Sequence, residues 1–442
     1  MNNSFSHVVI PQPLKNIFII RDTLANKISY YHLLLFLVSL PFDRFYSELV
    51  LISFSMHTLL HLRRLRFPFL PVRKLLLVLS LFLITLFTVL YTSENEEGLS
   101  KAGRQLALII FPVMFVCTKL DLNKYKHQLF LAFSLTITLT VIYLYYDALH
   151  TIVYNKLLVA TLFTPAFINQ NFTAPIELHA TYMAMYVCFS LLFMIYCALH
   201  SAIRVRKVLY LSAAVLLTGA LVQLGSRSVL VAAIIGANCI LPITISSVKR
   251  KIIYLSATIT GSAIVVIGIT TAPVLKSRYI SGFRQDITAN IAIPTIPEPR
   301  MARWESALHV INQHPLLGYG AGAEIPVLKQ QYFKDGLYIS YYNELNAHNQ
   351  YLSMAVTSGY VGLAVFMLIL LECFRLALKN RDVMFLSFLV IIAVASFSEN
   401  ILDLNKGIFF IAFFLSFFLL SDFSDNFKVV NELPGRATFE RA

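Results

Sequence analysis

His348 lies where a long polar stretch of the sequence meets a hydrophobic segment, and Asn346 and Asn349 flank it. Imidazole changes protonation near neutral pH, so a histidine at such a boundary can take a proton from a substrate held at a membrane surface. A lone interfacial histidine more often caps a helix or hydrogen-bonds a carbonyl group. Its neighbourhood here favours the chemical interpretation, and we take His348 as the candidate general base, with Asn349 in support.

Two arginines could act beside it. Arg227 joins two strongly apolar segments, and an arginine near hydrocarbon is costly unless it is paired or lines a wet cavity. Its planar guanidinium suits bidentate binding of phosphate, although a snorkelling anchor would need the same residue type. Arg303 follows Met301 in a segment with helical spacing, but it lies off the apolar stripe. By itself it is expected on a solvated face.

Weaker candidates lie at the ends of hydrophobic segments. His179 and Tyr182 open one such segment, and Arg104 lies near the start of another. Glu399 follows a third, where it could pair with Arg227 in a purely structural role. We retain Arg104, His179, Tyr182 and Glu399 as possible supporting residues.

Several motifs of other chemistries do not occur. No Asp-x-Asp pair, Walker motif or His-Glu-x-x-His is present, so we expect neither a metal-held nucleotide sugar, nor ATP, nor zinc. The glycines of residues 318–322 resemble a phosphate loop only superficially and are interpreted as a flexible turn. We therefore predict a site without a metal or other cofactor.

The elements that position these residues are membrane helices. Hydrophobic residues make up 57% of the 442-residue chain and charged residues 13%, about half the charge of a soluble domain. A spanning helix needs about 20 apolar residues. The net charge of +13 is interpreted as positive charge retained on the cytoplasmic side, not as a nucleic-acid site. We predict an all-α polytopic membrane protein with about twelve spans, near residues 29–42, 45–61, 74–92, 105–119, 129–148, 180–199, 207–224, 228–247, 252–274, 349–374, 384–400 and 407–421.

Basic loops set the expected orientation. Under the twelve-span interpretation, the basic stretches at residues 61–66, 204–207, 249–251 and 375–381 all fall on one side, which is then cytoplasmic. The predicted organisation is a cytoplasmic N-terminus (1–28), about nine spans (29–274), a periplasmic loop (275–348), about three spans (349–421) and a cytoplasmic tail (422–442). Within the loop, helices are predicted at 301–313, with Met301, Trp304, Leu308 and Ile311 on its apolar face, and near 324–332.

This layout resembles the O-antigen ligase and polymerase family of bacterial inner-membrane proteins. The resemblance covers most of the chain from the third span onward, and order and topology carry it more than any single motif. The matching elements are Ser226-Arg227, Arg303-Trp304, the His-Pro-Leu-Leu-Gly-Tyr-Gly-Ala-Gly run at 314–322, His-Asn-Gln-Tyr-Leu at 348–352 and His-Ala-Thr-Tyr at 179–182.

The resemblance implies glycosyl transfer from a glycan linked to undecaprenyl diphosphate, with Arg227 and Arg303 binding the diphosphate and His348 as the essential loop histidine. The implied acceptor is lipid A–core oligosaccharide for a ligase, or a growing glycan for a repeat-unit polymerase, and the sequence does not separate the two. Protein-directed relatives tend to carry His or Gln where this chain has Asn346. A lipid-linked glycan transporter and a membrane scaffold are the alternatives of other classes, and the oligomeric state stays open.

Overall fold

The computed structural model describes residues 17–62, 70–287 and 298–422, and those ranges contain helices and no strands. Part of the first basic stretch (residues 63–66), part of the long loop (288–297) and the tail after residue 422 lie outside the described residues. The predicted all-α fold is confirmed. Bounds of the α-helices are α1 Leu24–Ser39, α2 Arg44–Leu60, α3 Val72–Val89, α4 Asn95–Arg104, α5 Ala107–Cys117, α6 Lys126–Tyr154, α7 Gln170–Thr173, α8 Ala180–His200, α9 Arg204–Gln223, α10 Arg227–Ile235, α11 Val248–Thr271, α12 Pro273–Lys276, α13 Gly282–Ile287, α14 Arg300–Gln313, α15 Glu324–Lys334, α16 Tyr338–Tyr342, α17 Gln350–Lys379, α18 Val383–Ala395 and α19 Asn405–Leu420.

Every predicted span coincides with helix. Among the described residues, eight helical stretches are long and apolar enough to cross a membrane, and α18 and α19 are shorter apolar helices. The first pair, α1 and α2, have 16 and 17 residues and form a hairpin around residues 41–44. The chain is therefore a multi-pass membrane protein, whereas the count of twelve crossings stays a prediction.

The bundle is built around α8 and α19. Phe189 of α8 packs against Phe410 and Phe414 of α19, and Phe130 of α6 joins them. In the most apolar stretch of α8, 83% of residues are buried inside the protein, compared with 6% in α11. Apolar side chains on α11 therefore face the surroundings, as expected for a helix at the lipid-facing edge.

The long loop is a helical cap on one end of the bundle. Its two predicted helices are confirmed as α14 and α15, but the predicted apolar face of α14 is wrong. Met301 and Leu308 are 39% and 45% exposed, while Arg303 is only 5% exposed and lies on the buried face with Ala307 and Val310. Ile311 of the predicted face is buried, and it packs with Ala302, Ala307 and Val310 in an apolar cluster. Hydrophobic spacing misled here because alanines and Arg303, not the larger apolar side chains, occupy most of the buried face.

The glycine-rich turn is closely packed, which corrects the interpretation as a flexible turn. α17 is interrupted at Gly359, whose φ of 63° breaks the helical path. Amide groups of Tyr319 and Gly320 donate to carbonyls of Val356 and Thr357 at that break, both at 2.9 Å. A Cβ at Gly318 would lie 2.5 Å from the Val356 carbonyl oxygen, so only glycine permits this approach. The turn thereby fixes the cap to α17, the helix that follows His348.

Candidate active site between the long loop and the bundle

His348 lies two residues before the start of α17, and its neighbours hold it in an unusual conformation. Its φ is 46°, in the left-handed region that non-glycine residues seldom adopt. The side chain of Asn346 accepts its backbone N–H at 3.0 Å. The Asn349 side chain caps α17 by accepting the N–H groups of Tyr351 and Leu352. The two asparagines that flank His348 in the sequence therefore position its backbone.

A carboxylate links two histidines. Nδ1 of His348 lies 3.4 Å from Oε1 of Glu399, and Nδ1 of His179 lies 4.0 Å from Oε2 of the same residue. Glu399 thus lies between two histidines, and the expected structural pairing with Arg227 is wrong. Burial raises the pKa of the Glu399 carboxyl, but the interaction with His348 and the charges of His179 and Arg300 outweigh it, so the net pKa is below the usual value.

The two histidines differ in what their ring nitrogens can do. Nδ1 of His179 accepts the backbone N–H of Thr181 at 3.3 Å, so the neutral ring carries its proton on Nε2 and can only donate there. Nδ1 of His348 faces a carboxylate, which favours a proton on Nδ1 and leaves Nε2 with a free lone pair. The arrangement therefore suits His348 as the proton acceptor and His179 as a hydrogen-bond donor.

Arginines converge on a cavity of about 530 Å³ beside this cluster. Arg227 at the start of α10, Arg278 and Arg300 line it, together with the Trp304 ring. The lining also contains one acid among the described residues, Asp286, which pairs with Arg227 and lies 3.8 Å from Nε of Arg300. Three guanidinium groups facing one carboxylate leave a net positive cavity, which is suited to a multiply charged anion.

The arginines of this cavity are partly desolvated and repel one another. Burial, followed by repulsion from Arg227 and Arg300, lowers the pKa of Arg278. Burial also lowers the pKa of Arg300, against the attraction of Asp286. Nη1 of Arg227 is buried and has no hydrogen-bond partner within the described ranges. An anionic ligand would relieve the repulsion and supply the missing partner.

Arg303 has a different environment from the cavity arginines. It lies one turn after Arg300 on α14, does not line the cavity, and has Tyr332 as a close electrostatic neighbour. Burial lowers its pKa, and its Nε and Nη1 atoms have no hydrogen-bond partner in the part of the chain that the structure describes. The structure therefore puts Arg300, not Arg303, beside Arg227 in the cavity, with Arg303 behind it.

Two contacts connect the arginine cavity to His348. Trp304, which lines the cavity, donates its Nε1–H to the carbonyl of Ala347 at 3.0 Å, so the wall of the cavity touches the residue before the histidine. Ser398 also lines the cavity and directly precedes Glu399, the partner of His348. The His348–Glu399 pair therefore adjoins a positively charged cavity through its chain neighbours, although neither residue lines it.

A buried hydrogen-bond network around Glu324 holds the residues next to His348 and Glu399. Oε1 of Glu324 accepts the backbone N–H of Ala347 at 3.1 Å and the Asn400 side chain at 3.0 Å. Oε2 accepts the hydroxyl of Ser353 and the same Asn400 amide. Oδ1 of Asn400 in turn accepts the N–H of Asn349 at 2.9 Å. The residues on both sides of His348, and the residue after Glu399, are thus bound to one carboxylate or its partner.

The remaining candidates lie around the other histidine. The Tyr182 ring packs edge-on against His179, and its hydroxyl donates to the Asn400 carbonyl at 3.2 Å. Arg104 pairs with Glu97 at 2.6 Å. Arg104, His179 and Tyr182 line a second cavity. None of the three lines the arginine cavity.

Sequence reasoning missed four residues of this site: Arg278, Arg300, Asp286 and Glu324. Arg278 and Asp286 lie near the start of the long loop, where no periodic pattern marks which side chains turn inward. Arg300 precedes Arg303 by three positions, one helical turn, so a helix start at residue 300 would have placed both near the same face. Nothing in the local sequence marks Glu324 as buried, since it opens a helix where an acid is common on the surface.

No curated protein matches the chain. A comparison with protein families agrees with these features. A family model described as O-antigen ligase (Wzy_C) matches residues 212–367, a range that contains Arg227, Arg303 and His348 but neither His179 nor Glu399. The predicted resemblance to the O-antigen ligase family is confirmed over residues 212–367.

Proposed function

We propose that this protein transfers a glycan from undecaprenyl diphosphate to a sugar hydroxyl of an acceptor, at the periplasmic face of the bacterial inner membrane. The leading reaction is ligation of O-antigen to lipid A–core oligosaccharide. The observation that carries the proposal is the excess of cavity arginines over acids beside a histidine–carboxylate pair. The match to the O-antigen ligase family supports the reaction class.

The proposed step is a single displacement. The acceptor hydroxyl gives its proton to Nε2 of His348, and its oxygen attacks the anomeric carbon as the bond from that carbon to the diphosphate oxygen breaks. The electron pair of that bond leaves with undecaprenyl diphosphate, and the anomeric configuration inverts. Arg227, Arg278 and Arg300 stabilise the charge that grows on the leaving group, since donors already aimed at that charge need no reorganisation. Glu399 stabilises the imidazolium that forms on His348.

Purified full-length protein tests this assignment with an undecaprenyl-diphosphate-linked glycan as donor and lipid A–core as acceptor. We expect His348→Ala to lower transfer by roughly 10²–10⁴-fold, the usual contribution of a positioned base. His309→Ala is the matched control, because His309 lies on the same loop with a 63% exposed side chain. Full transfer by His348→Ala in a folded protein would refute its role as the base.

Deletion of the gene separates the proposed ligase from a repeat-unit polymerase. Loss of a ligase leaves long glycan on the lipid carrier and lipopolysaccharide without it, whereas loss of a polymerase leaves core capped with one repeat. Long glycan that persists on lipopolysaccharide after deletion would contradict both. A lipid-linked glycan transporter predicts donor movement without transfer to the acceptor in the purified system.

A further inference from the structure

A second and larger cavity lies next to His179. Its volume is about 950 Å³, and it is bounded by the α1–α2 hairpin, by α6, by residues 175–182 and by the start of α19. Its lining includes Leu139 and Tyr143 of α6, which are 66% and 46% exposed, and Phe42 of the hairpin, which is 41% exposed. Exposed apolar side chains on a helix of a membrane bundle face lipid, so this cavity has a wall that suits a hydrocarbon chain.

The polar part of this cavity is basic and incompletely paired. Arg44, Arg104 and Lys406 line it, together with Asp43 and Glu177. Nζ of Lys406 is buried and has no hydrogen-bond partner in the described ranges. A buried charge without a partner is strongly destabilising, so an anion bound to this ammonium would stabilise the protein.

The nearby acids do not fill that role. Asp43 and Glu48 are the carboxylates whose charges act on Lys406. Oδ1 of Asp43 accepts the backbone N–H of Phe45 at 2.7 Å, and Oε1 of Glu48 accepts the Asn405 side chain at 2.8 Å. Neither carboxylate is used up by these contacts, but no acceptor in the described ranges lies within hydrogen-bonding distance of Nζ, so the ammonium keeps its hydrogen-bonding capacity for a ligand.

One carboxylate separates this cavity from the proposed base. His179 lines the cavity and its Nδ1 lies 4.0 Å from Glu399, whose other oxygen faces His348. Two residues further on, Thr181 lines the arginine cavity. The two cavities thus meet on either side of the His179–Glu399–His348 cluster.

We propose that the second cavity binds the acceptor, a lipid-linked saccharide that carries phosphate. Its phosphate binds Lys406 and Arg44, its hydrocarbon lies against α6 and the hairpin, and its sugar hydroxyl reaches the cluster at the His179 end. This inference rests on the proposed function, which requires an acceptor, and it adds a separate binding site for that substrate. A phosphorylated lipid A–core and a polyprenyl-diphosphate-linked glycan share the required chemistry.

Binding measured without donor tests the site. The probes are lipid A–core from rough lipopolysaccharide, the same material after removal of its phosphates, and undecaprenyl-diphosphate-linked glycan. Each is titrated into the full-length protein in detergent. Hydrogen bonds to charged groups contribute about 1.5–3 kcal/mol, so Lys406→Gln should raise Kd for the phosphorylated acceptor roughly 10- to 100-fold. The dephosphorylated probe should bind weakly to wild type and respond little to the substitution.

Arg44→Gln provides a second test in case Lys406→Gln does not fold, because Arg44 is exposed and its replacement does not disturb the core. Lys249→Gln, at an exposed position away from the cavity, should leave every Kd unchanged. Loss of affinity for lipid A–core identifies a ligase acceptor, and loss for the polyprenyl probe alone identifies a growing glycan. Unchanged Kd values in folded Lys406→Gln and Arg44→Gln would overturn the site.

Failure of the proposed function gives a different result. If wild type neither uses nor binds the undecaprenyl-diphosphate donor, glycosyl transfer is wrong, while dependence of lipid A–core binding on Lys406 would still support a phosphoglycolipid site. If wild type transfers glycan but the acceptor Kd ignores both substitutions, only the acceptor site is wrong.

Discussion

Two clusters of charged residues adjoin the His348–Glu399 pair, one around Glu324 and one in and behind the arginine cavity. They differ in how many of their polar atoms have hydrogen-bond partners. Around Glu324, both carboxylate oxygens and both side-chain polar atoms of Asn400 have hydrogen-bond partners. In and behind the arginine cavity, Nη1 of Arg227 and two nitrogens of Arg303 have none within the described ranges. These three nitrogens are themselves buried, so water at the protein surface does not pair them.

Buried polar groups are normally paired, and a cluster that is complete in itself stabilises one arrangement of the chain. A cluster with excess charge is costly without a ligand and is therefore a candidate binding site. By this criterion the Glu324 cluster holds His348 in place, while the arginine cavity is kept ready for an anion. Substitutions in the two clusters should therefore fail in different ways, the first in stability and the second in donor use.

The largest effect is expected from Glu324→Ala. Removing this carboxylate leaves the Ala347 N–H and the Ser353 hydroxyl without their acceptor and Lys101 with less compensation, so we expect the free energy of unfolding to fall by about 3–5 kcal/mol. Burial and the neighbouring Asp403 raise the pKa of the Glu324 carboxyl, so the neutral Glu324→Gln should retain most of the stability. Denaturation in detergent measures both. Glu305→Ala, at an exposed position in the same loop, is the control, and a fully stable Glu324→Ala would remove the distinction between the clusters.

Arg300→Gln should leave stability almost unchanged and impair chemistry. Loss of one donor aimed at the leaving group typically costs 10²–10³-fold in kcat, and we expect that range for Arg300→Gln and Arg227→Gln. The measurement is steady-state transfer with the donor varied. Lys334→Gln, at an exposed loop position, should behave as wild type. A loss confined to Arg303→Gln would mean that the diphosphate lies behind α14 and not in the cavity.

Asp286→Asn sharpens the contrast from the opposite direction. Asp286 occupies Arg227 and approaches Arg300, so its neutral replacement frees both guanidinium groups for the donor. An ion pair that is partly accessible to solvent contributes about 1 kcal/mol or less, so the donor KM should fall by up to roughly fivefold. A rise in donor KM with unchanged stability would show that Asp286 instead orients the arginines for catalysis.

The fold was largely predictable from the sequence, and the site was predictable in part. Long apolar runs require helices in a membrane because no other structure satisfies the backbone of an isolated segment there, and all twelve predicted segments are helical. His348 and Glu399 were found because polar groups at the ends of apolar segments stand out. Arg300 and Glu324 were not found, because pairing across the chain, and not local pattern, decides which charges of a polar loop become buried.

The smallest expected effect is a change in pH dependence that separates the two partners of Glu399. Burial lowers the pKa of His179 from its usual 6.5, with Glu399 opposing and His348 adding to the shift. Below pH 6.5 the unfolded chain therefore binds more protons than the folded one, and stability falls as pH decreases through the folded pKa.

Glu399 acts in a lower window. Its folded pKa is below the usual 4.5, so it contributes stability above that value that is lost as pH falls through the folded pKa. His179→Gln should therefore flatten the slope of melting temperature against pH just below 6.5. Glu399→Gln should change the slope below 4.5 and, because Glu399 raises the pKa of His179, should extend the slope below 6.5 to lower pH. If His179→Gln keeps the wild-type slope, His179 is already charged in the folded protein. Its Nδ1 would then carry a proton toward Glu399, and the distinction drawn here between a donor His179 and a base His348 would be lost.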